Sequence, residues 1–542
     1  MSVRGLLGRV TVAALVLVLG GTCWGQQGEG GVQLKRDKGG FGAQFPRELA
    51  DFVGADWRAK AAALERLVRD GKRSVPTLVA GLRTAYAKTR VYRPNVNQRD
   101  VGRHCAIALA RINDRSACEA LVECLDFPDR EARREIVRAL GALRCRDAIP
   151  GLVTVLADPR EDKVNQREAA LALAGFGGEG AEALAAAKTA RDEDQLATEA
   201  LVLIALEDRA AVERLLTDDR PRARERAKAA LAELDRRRKE WPTLPSVREV
   251  EAEARGLRGA RKFAEALALW ERVVDSGLYN LRDAEMAREN MLEIKNEAGA
   301  GLYGAPVAVW RNKVYILAAY DADLVGRDGQ VVKHVKYALS DREIEYNRQR
   351  LRDLEEAVRV GSCGALKLVN DVEVVWEPWK VFRPSIRTTR PEQAGHWRIS
   401  RQDLASAFNV EELCGDQGYH CVVFQVRGEP GAFVIDSGSA GGRMIMNTQN
   451  ERFENADVTV ACHEWLHMLH AAVWQEGHFG WTQCIPLHDQ IRDLQLQRAW
   501  RLGEFAPQRE VHVDCMRRYV TLKMWKSVAK LEAEESPDAE EP

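Results

Sequence analysis

Six of the ten histidines in this chain of 542 residues fall between His463 and His512. Two of them, His463 and His467, stand four residues apart in the run His463-Glu464-Trp465-Leu466-His467, with a carboxylate beside the first. On a helix, residues four apart project from the same face, about one turn from each other. Two imidazoles so placed can grip one tetrahedral zinc ion, and the neighbouring glutamate reaches the water on that ion and can take its proton. That is the chemistry of metal-assisted hydrolysis, and the residues alone carry it no further. In a chain this poor in histidine, chance produces the spacing in about one or two chains in a hundred.

The helix is expected independently of the motif. Asn455 or Asp457 can cap its start, and ADVTVACHEWLHMLHAAVW then runs without Gly or Pro. Val460, Ala461, Trp465, Leu466, Met468, Leu469 and Ala472 give it apolar surface on nearly every side, the pattern of a central buried helix. Two histidines and a glutamate on one face of such a helix need a reason to be there, and a metal supplies it.

The motif, with the strands and helix around it, resembles the zincin metallopeptidases. The resemblance implies an α+β domain, Zn2+ as cofactor, Glu464 as the catalytic general base, His463 and His467 as metal ligands, a third ligand downstream, and a peptide or protein substrate. A metzincin would carry Gly at 470 and His at 473; His470 and Val473 stand there, so that subclass is excluded. Thermolysin-like enzymes use a Glu on a later helix and deuterolysin-like enzymes an Asp soon after the motif, which makes Glu476, His478, His488 and Asp489 the candidates. His488 is preferred, because Cys484-Ile485-Pro486 breaks the chain just before it and can turn it back toward the metal; Asp489 and His478 come next. Where Asp489 is not a ligand it can orient an imidazole. His470 lies roughly 10 Å of helical rise from His463, too far to share the ion easily, and reads as a buried neighbour. For the oxyanion the resemblance offers Tyr519 or His512. It also makes the hairpin of residues 432 to 447 the counterpart of the edge strand along which a substrate lies. Ser439 in that hairpin lacks a GxSxG elbow, so a serine nucleophile is not expected. His104, His334, His396 and His420 are scattered singly and read as structural.

These residues must be positioned by something larger. The length calls for more than one domain. A net charge of -1, with no basic stripe, excludes nucleic-acid binding as a main task. Arg4 and Arg9 followed by an apolar stretch from Val10 to Leu19 read as a signal peptide over residues 1–25, and export follows, to periplasm or exterior. Cys23 follows Gly20-Gly21-Thr22, a poor lipobox, so release is expected over lipid anchoring, with no integral membrane segment after signal removal. Residues 26–47 are a flexible Gly/Gln-rich linker. Export permits disulfides; pairs among Cys363, Cys414, Cys421, Cys462, Cys484 and Cys515 of the second half are possible, and the sequence does not give their connectivity.

Residues 48–240 are Ala/Leu-rich and repetitive. CAIALARIN from Cys105, EIVRALGAL from Glu135, AALALAGFG from Ala169, EALVLIALE from Glu199 and AKAALAELD from Ala227 follow at steps of 30, 34, 30 and 28 residues. A helix pair of that length cannot bury its apolar face alone, but stacked neighbours can. The array resembles HEAT-like repeats, which implies an all-α solenoid and a protein partner on its surface as one use of it. Trp241-Pro242 breaks the array. Residues 241–298 are a helical connector of about three helices, with one TPR-like unit around Gly256, Phe263, Ala266 and Trp270. From 299 to 530 alternating strands (VAVW, KVYILAAY, GALKLVNDVEVVW, YHCVVFQVR, GAFVID, GRMIMN) with a helix from Asp341 to Val358 make the zincin-like α+β domain, and residues 531–542 are an acidic tail expected to be disordered. The fold class is thus multidomain: an N-terminal all-α solenoid followed by an α+β domain. The competing expectation is a secreted repeat scaffold whose second domain is inactive or structural.

Overall fold

A computed structural model describes residues 45–53, 57–91, 96–189, 191–326, 329–384, 397–398, 407–415, 417–426, 432–436, 442–447, 457–475 and 508–528. The expected signal peptide (1–25), most of the expected linker, the expected acidic tail, Cys23, His396, Ser439, Glu476, His478, Cys484, His488 and Asp489 lie outside the described residues.

Five helices carry the repeated sequences: Val96–Ile112, Arg130–Ala142, Lys163–Ala174, Arg191–Glu207 and Pro221–Glu240. Each packs on the next, and shorter helices between them close the other side. The polar punctuation now has a local cause. Asp129 of FPDRE accepts from the Glu131 and Ala132 amides, and Asp162 of DPRED accepts from Val164, so each starts a helix by satisfying its first free N–H groups. Pro221 of TDDRP opens the last of the five at a position that needs no N–H. Small residues set the spacing: a Cβ on Gly141 would come within 2.8 Å of the Ala172 Cβ, so only glycine lets these two helices approach so closely. Charge pairs such as Arg138–Glu168 at 3.0 Å and Arg237–Glu199 at 3.0 Å tie one repeat to the next at its rim. Cys118 and Cys145 form a disulfide between neighbouring repeats. The described cysteines of the second half, Cys363, Cys414, Cys421, Cys462 and Cys515, are unbridged, and the bridge lies in the helical half.

Three helices follow, Val247–Gly259, Phe263–Ser276 and Leu281–Ala298, packed round Trp270, Ala266 and Met291. Gly256 has open space beside it and makes no close approach.

The second half is built on two sheets. The larger has the order β4-β1-β7-β9-β8, with β1 Ala308–Leu317, β4 Leu366–Val375, β7 Cys421–Val426, β8 Ala432–Asp436 and β9 Gly442–Asn447. Pairings β4/β1, β1/β7 and β7/β9 are parallel; β8 alone runs antiparallel, at the edge. The smaller sheet has the order β3-β2-β5-β6, with β2 Ala319–Val325, β3 Val331–Ala338, β5 Trp379–Pro384 and β6 Trp397–Arg398. The VAVW and KVYILAAY stretches are not two strands: β1 runs through the polar Arg311-Asn312-Lys313 between them, and the chain breaks only at Ala318. Asn312 is tolerated there because its amide donates to Asn370 Oδ1 on the paired strand (2.9 Å) and its oxygen accepts from the Trp310 indole (2.8 Å). Both faces of the larger sheet are covered, as a mainly parallel sheet requires. On one, Trp310, Val314 and Val423 pack under helices; on the other, Tyr315, Leu317 and Phe424 form a second core. Among the described residues, no helix is long and apolar enough to cross a membrane.

Candidate functional site

The motif lies on a helix, Asp457–Gln475, laid against β8 and β9, the Asp341–Gly361 helix and the C-terminal helix Gln508–Tyr519. Ala461, Cys462, Trp465, Leu466, Met468, Leu469 and Val473 are buried, whereas His463 and His467 are half-buried. The helix therefore shows its two imidazoles on one face and buries the apolar residues around them. Trp465 anchors it, its ring edge-on to Trp310 of β1 at 5.6 Å.

The rings of His463 and His467 stand edge to face, 5.2 Å between centres and 81° between planes. Two imidazoles bound to one tetrahedral zinc, with Zn–N about 2.0–2.1 Å, have ring centres roughly 5 Å apart, so the pair fits that ion. Among the described residues, no group of three or more His, Cys, Asp or Glu side chains is arranged to hold a metal ion. The four positions from which a third ligand was expected lie outside the described residues.

Of the two oxyanion candidates, one is brought to the pair. His512, only 2 % exposed, has its ring 5.8 Å from that of His463, at 69°. Tyr519 sits two turns further along the same helix, and the guanidinium groups of Arg518 and Arg288 lie over its ring at 5.4 and 5.7 Å. Burial pushes its hydroxyl well above the ordinary tyrosine range. Tyr519 belongs to the contact with the connector, not to the imidazole pair.

That contact was not visible in sequence. Lys295 of the connector, buried, donates to the Val520 carbonyl (2.7 Å) and pairs with buried Glu271 at 3.4 Å. Glu271 also accepts from the Leu522 amide (3.0 Å) and the Tyr303 hydroxyl (3.3 Å). Thr521 donates to Asp275 at 2.7 Å, and Arg518 reaches Glu285 at 3.1 Å and Glu289 at 2.8 Å. Burial, then the nearby Glu271 charge, pushes the Asp275 carboxyl up to about 7. In sequence these charges look like ordinary solvated helix faces; only tertiary packing turns them inward.

His104, His420 and His334 have structural partners. His104 is buried and donates from Nδ1 to the Asp100 carbonyl (2.6 Å), with burial, then Arg103, holding it down at about 3. His420 accepts the Arg311 amide (3.1 Å) and stacks on Trp310. His334 is exposed between Asp321 and Asp323, and its hydrogen bond to Asp323 raises its pKa.

Residues 97–174 match the family model for HEAT repeats. No curated protein is matched by the chain. The N-terminal region is thus mostly helical and contains HEAT repeats, and a sheet-containing region follows it.

Proposed function

We propose that the chain is an exported zinc-dependent metallopeptidase with a zincin-like second half. The observation that carries the reading is the imidazole pair: His463 and His467, half-buried, with ring centres 5.2 Å apart on one face of a helix whose described apolar side chains are mostly buried. His463, His467 and a third donor, for which His488 is the choice, hold the ion. Zinc held there would supply a Lewis acid able to acidify a water and polarise a substrate carbonyl. Glu464, the next residue in the helix after His463, is the general base: it takes a proton from the attacking water and returns it to the leaving amine. The edge strand β8 lies beside this helix and runs antiparallel to its only neighbour in the sheet. A peptide in extended form adds to such an edge by backbone hydrogen bonds. That the bond cut is an amide rests on the resemblance to zincins. Export is supported by the signal-like leader and by the Cys118–Cys145 bridge, which suits an oxidising compartment.

The HEAT-repeat match favours a second role for the helical arm, as the surface on which a protein partner docks. If that were the whole function, the imidazole pair would be ornamental. Glu464→Gln separates the two. On the enzymatic reading it keeps zinc and lowers hydrolysis of a general peptide library by about 100- to 10,000-fold; unchanged hydrolysis removes Glu464 from the mechanism.

A further inference from the structure

We propose that His512 is a positioning residue for His463, and that the helical connector, by fixing the helix that carries His512, is part of the frame of the site; the proposal rests on the metal reading above. An imidazole that binds a metal through one nitrogen turns freely about two side-chain bonds unless something holds its ring. Groups that hold it are worth about 10- to 100-fold in metal affinity. His463 has such a wall. His512 meets it ring to ring at 5.8 Å and 69°, the edge-to-face packing that aromatic rings prefer, on the motif helix's contact with Gln508–Tyr519. His512 is itself 2 % exposed, on a helix whose Val511 and Val513 belong to the same core.

The wall is only as firm as its helix, and that helix is pinned within two turns of His512. Arg517 donates to Asn296 (2.6 Å) and to the Val360 carbonyl (3.1 Å), Arg518 pairs with Glu285 and Glu289, and the Val520 carbonyl accepts from Lys295. All but one of these anchors lie in Leu281–Ala298, the last helix of the connector. The connector thereby sets where His512 stands, and His512 sets which way His463 faces.

The test is a competitive zinc titration of the full chain against a chromophoric chelator, for wild type, His512→Ala, His512→Phe and His463→Ala. Removing the ring in His512→Ala weakens zinc by about 10- to 100-fold. His512→Phe restores a flat ring without a nitrogen and returns affinity to within about threefold of wild type, which also shows that the fold is kept. Wild-type affinity in His512→Ala overturns the proposal. So does loss of zinc in His512→Phe as complete as in His463→Ala, because His512 would then be a nitrogen donor. A wild-type chain that takes up no zinc overturns the metal reading itself, and this inference with it.

Discussion

The helix Gln508–Tyr519 and the Leu522–Ser527 turn after it bury polar side chains toward two different neighbours. Toward the connector, Lys295, Glu271, Asp275, Thr521, Arg518, Glu285 and Glu289 meet in pairs of opposite charge or as donor and acceptor. Toward the motif helix, three imidazoles gather, and no carboxylate of the described residues completes a metal-holding group with them. In the first arrangement each of these groups has a hydrogen-bond or ion-pair partner, and what it gives the protein is a fixed junction between the connector and the sheet-bearing half. The second gathers imidazole rings on a helix face where His463 and His467 stay half-buried, and the proposed metal site rests on it. The two differ in chemistry: one joins donors to acceptors and cations to carboxylates, the other gathers nitrogen-bearing rings.

Two changes at the junction sharpen this contrast. The larger effect is expected from Lys295→Met. It leaves Glu271 buried without its cation and the Val520 carbonyl without its donor, and costs about 3 kcal/mol in chemical denaturation. A loss under about 1 kcal/mol means that these pairings do not fix the junction. A smaller, pH-dependent effect is expected from Asp275→Asn. The folded-state carboxyl titrates near 7, above its ordinary value of 3.8, because burial and Glu271 oppose its charge. A raised acid favours the fold at low pH, and that advantage is lost as pH rises from the ordinary value through the folded one. Asparagine keeps an acceptor for Thr521 but cannot ionise. The melting temperature of Asp275→Asn therefore gains on wild type between about pH 4 and 7 and holds a constant lead above that. A lead independent of pH contradicts the assignment.

Much of the arm was legible because its fold is local. The repeat of small apolar residues and the Asp and Pro at each turn report neighbours some 30 residues away, and the helices fall where those signals put them. The motif helix was legible for the same reason, through an unbroken apolar run from Val458 with a histidine pair at helical spacing. What stayed hidden depends on distant chain. Cys118 and Cys145 meet because two repeats stack, and no spacing rule names that pair among eleven cysteines. Arg311-Asn312-Lys313 looked like a turn between strands because its partner, Asn370, is 58 residues from Asn312. His512 and Tyr519 looked equivalent on one helix; only packing shows that His512 meets His463 while Tyr519, two turns on, meets Arg288 of the connector.

Metal content measured on the purified full chain after exhaustive dialysis tests the central claim most directly. The account predicts about one zinc per chain in the wild type, and its loss in both His463→Ala and His467→Ala with the melting profile of the arm unchanged. A wild-type chain without zinc, or one that keeps it when both imidazoles are removed, contradicts it.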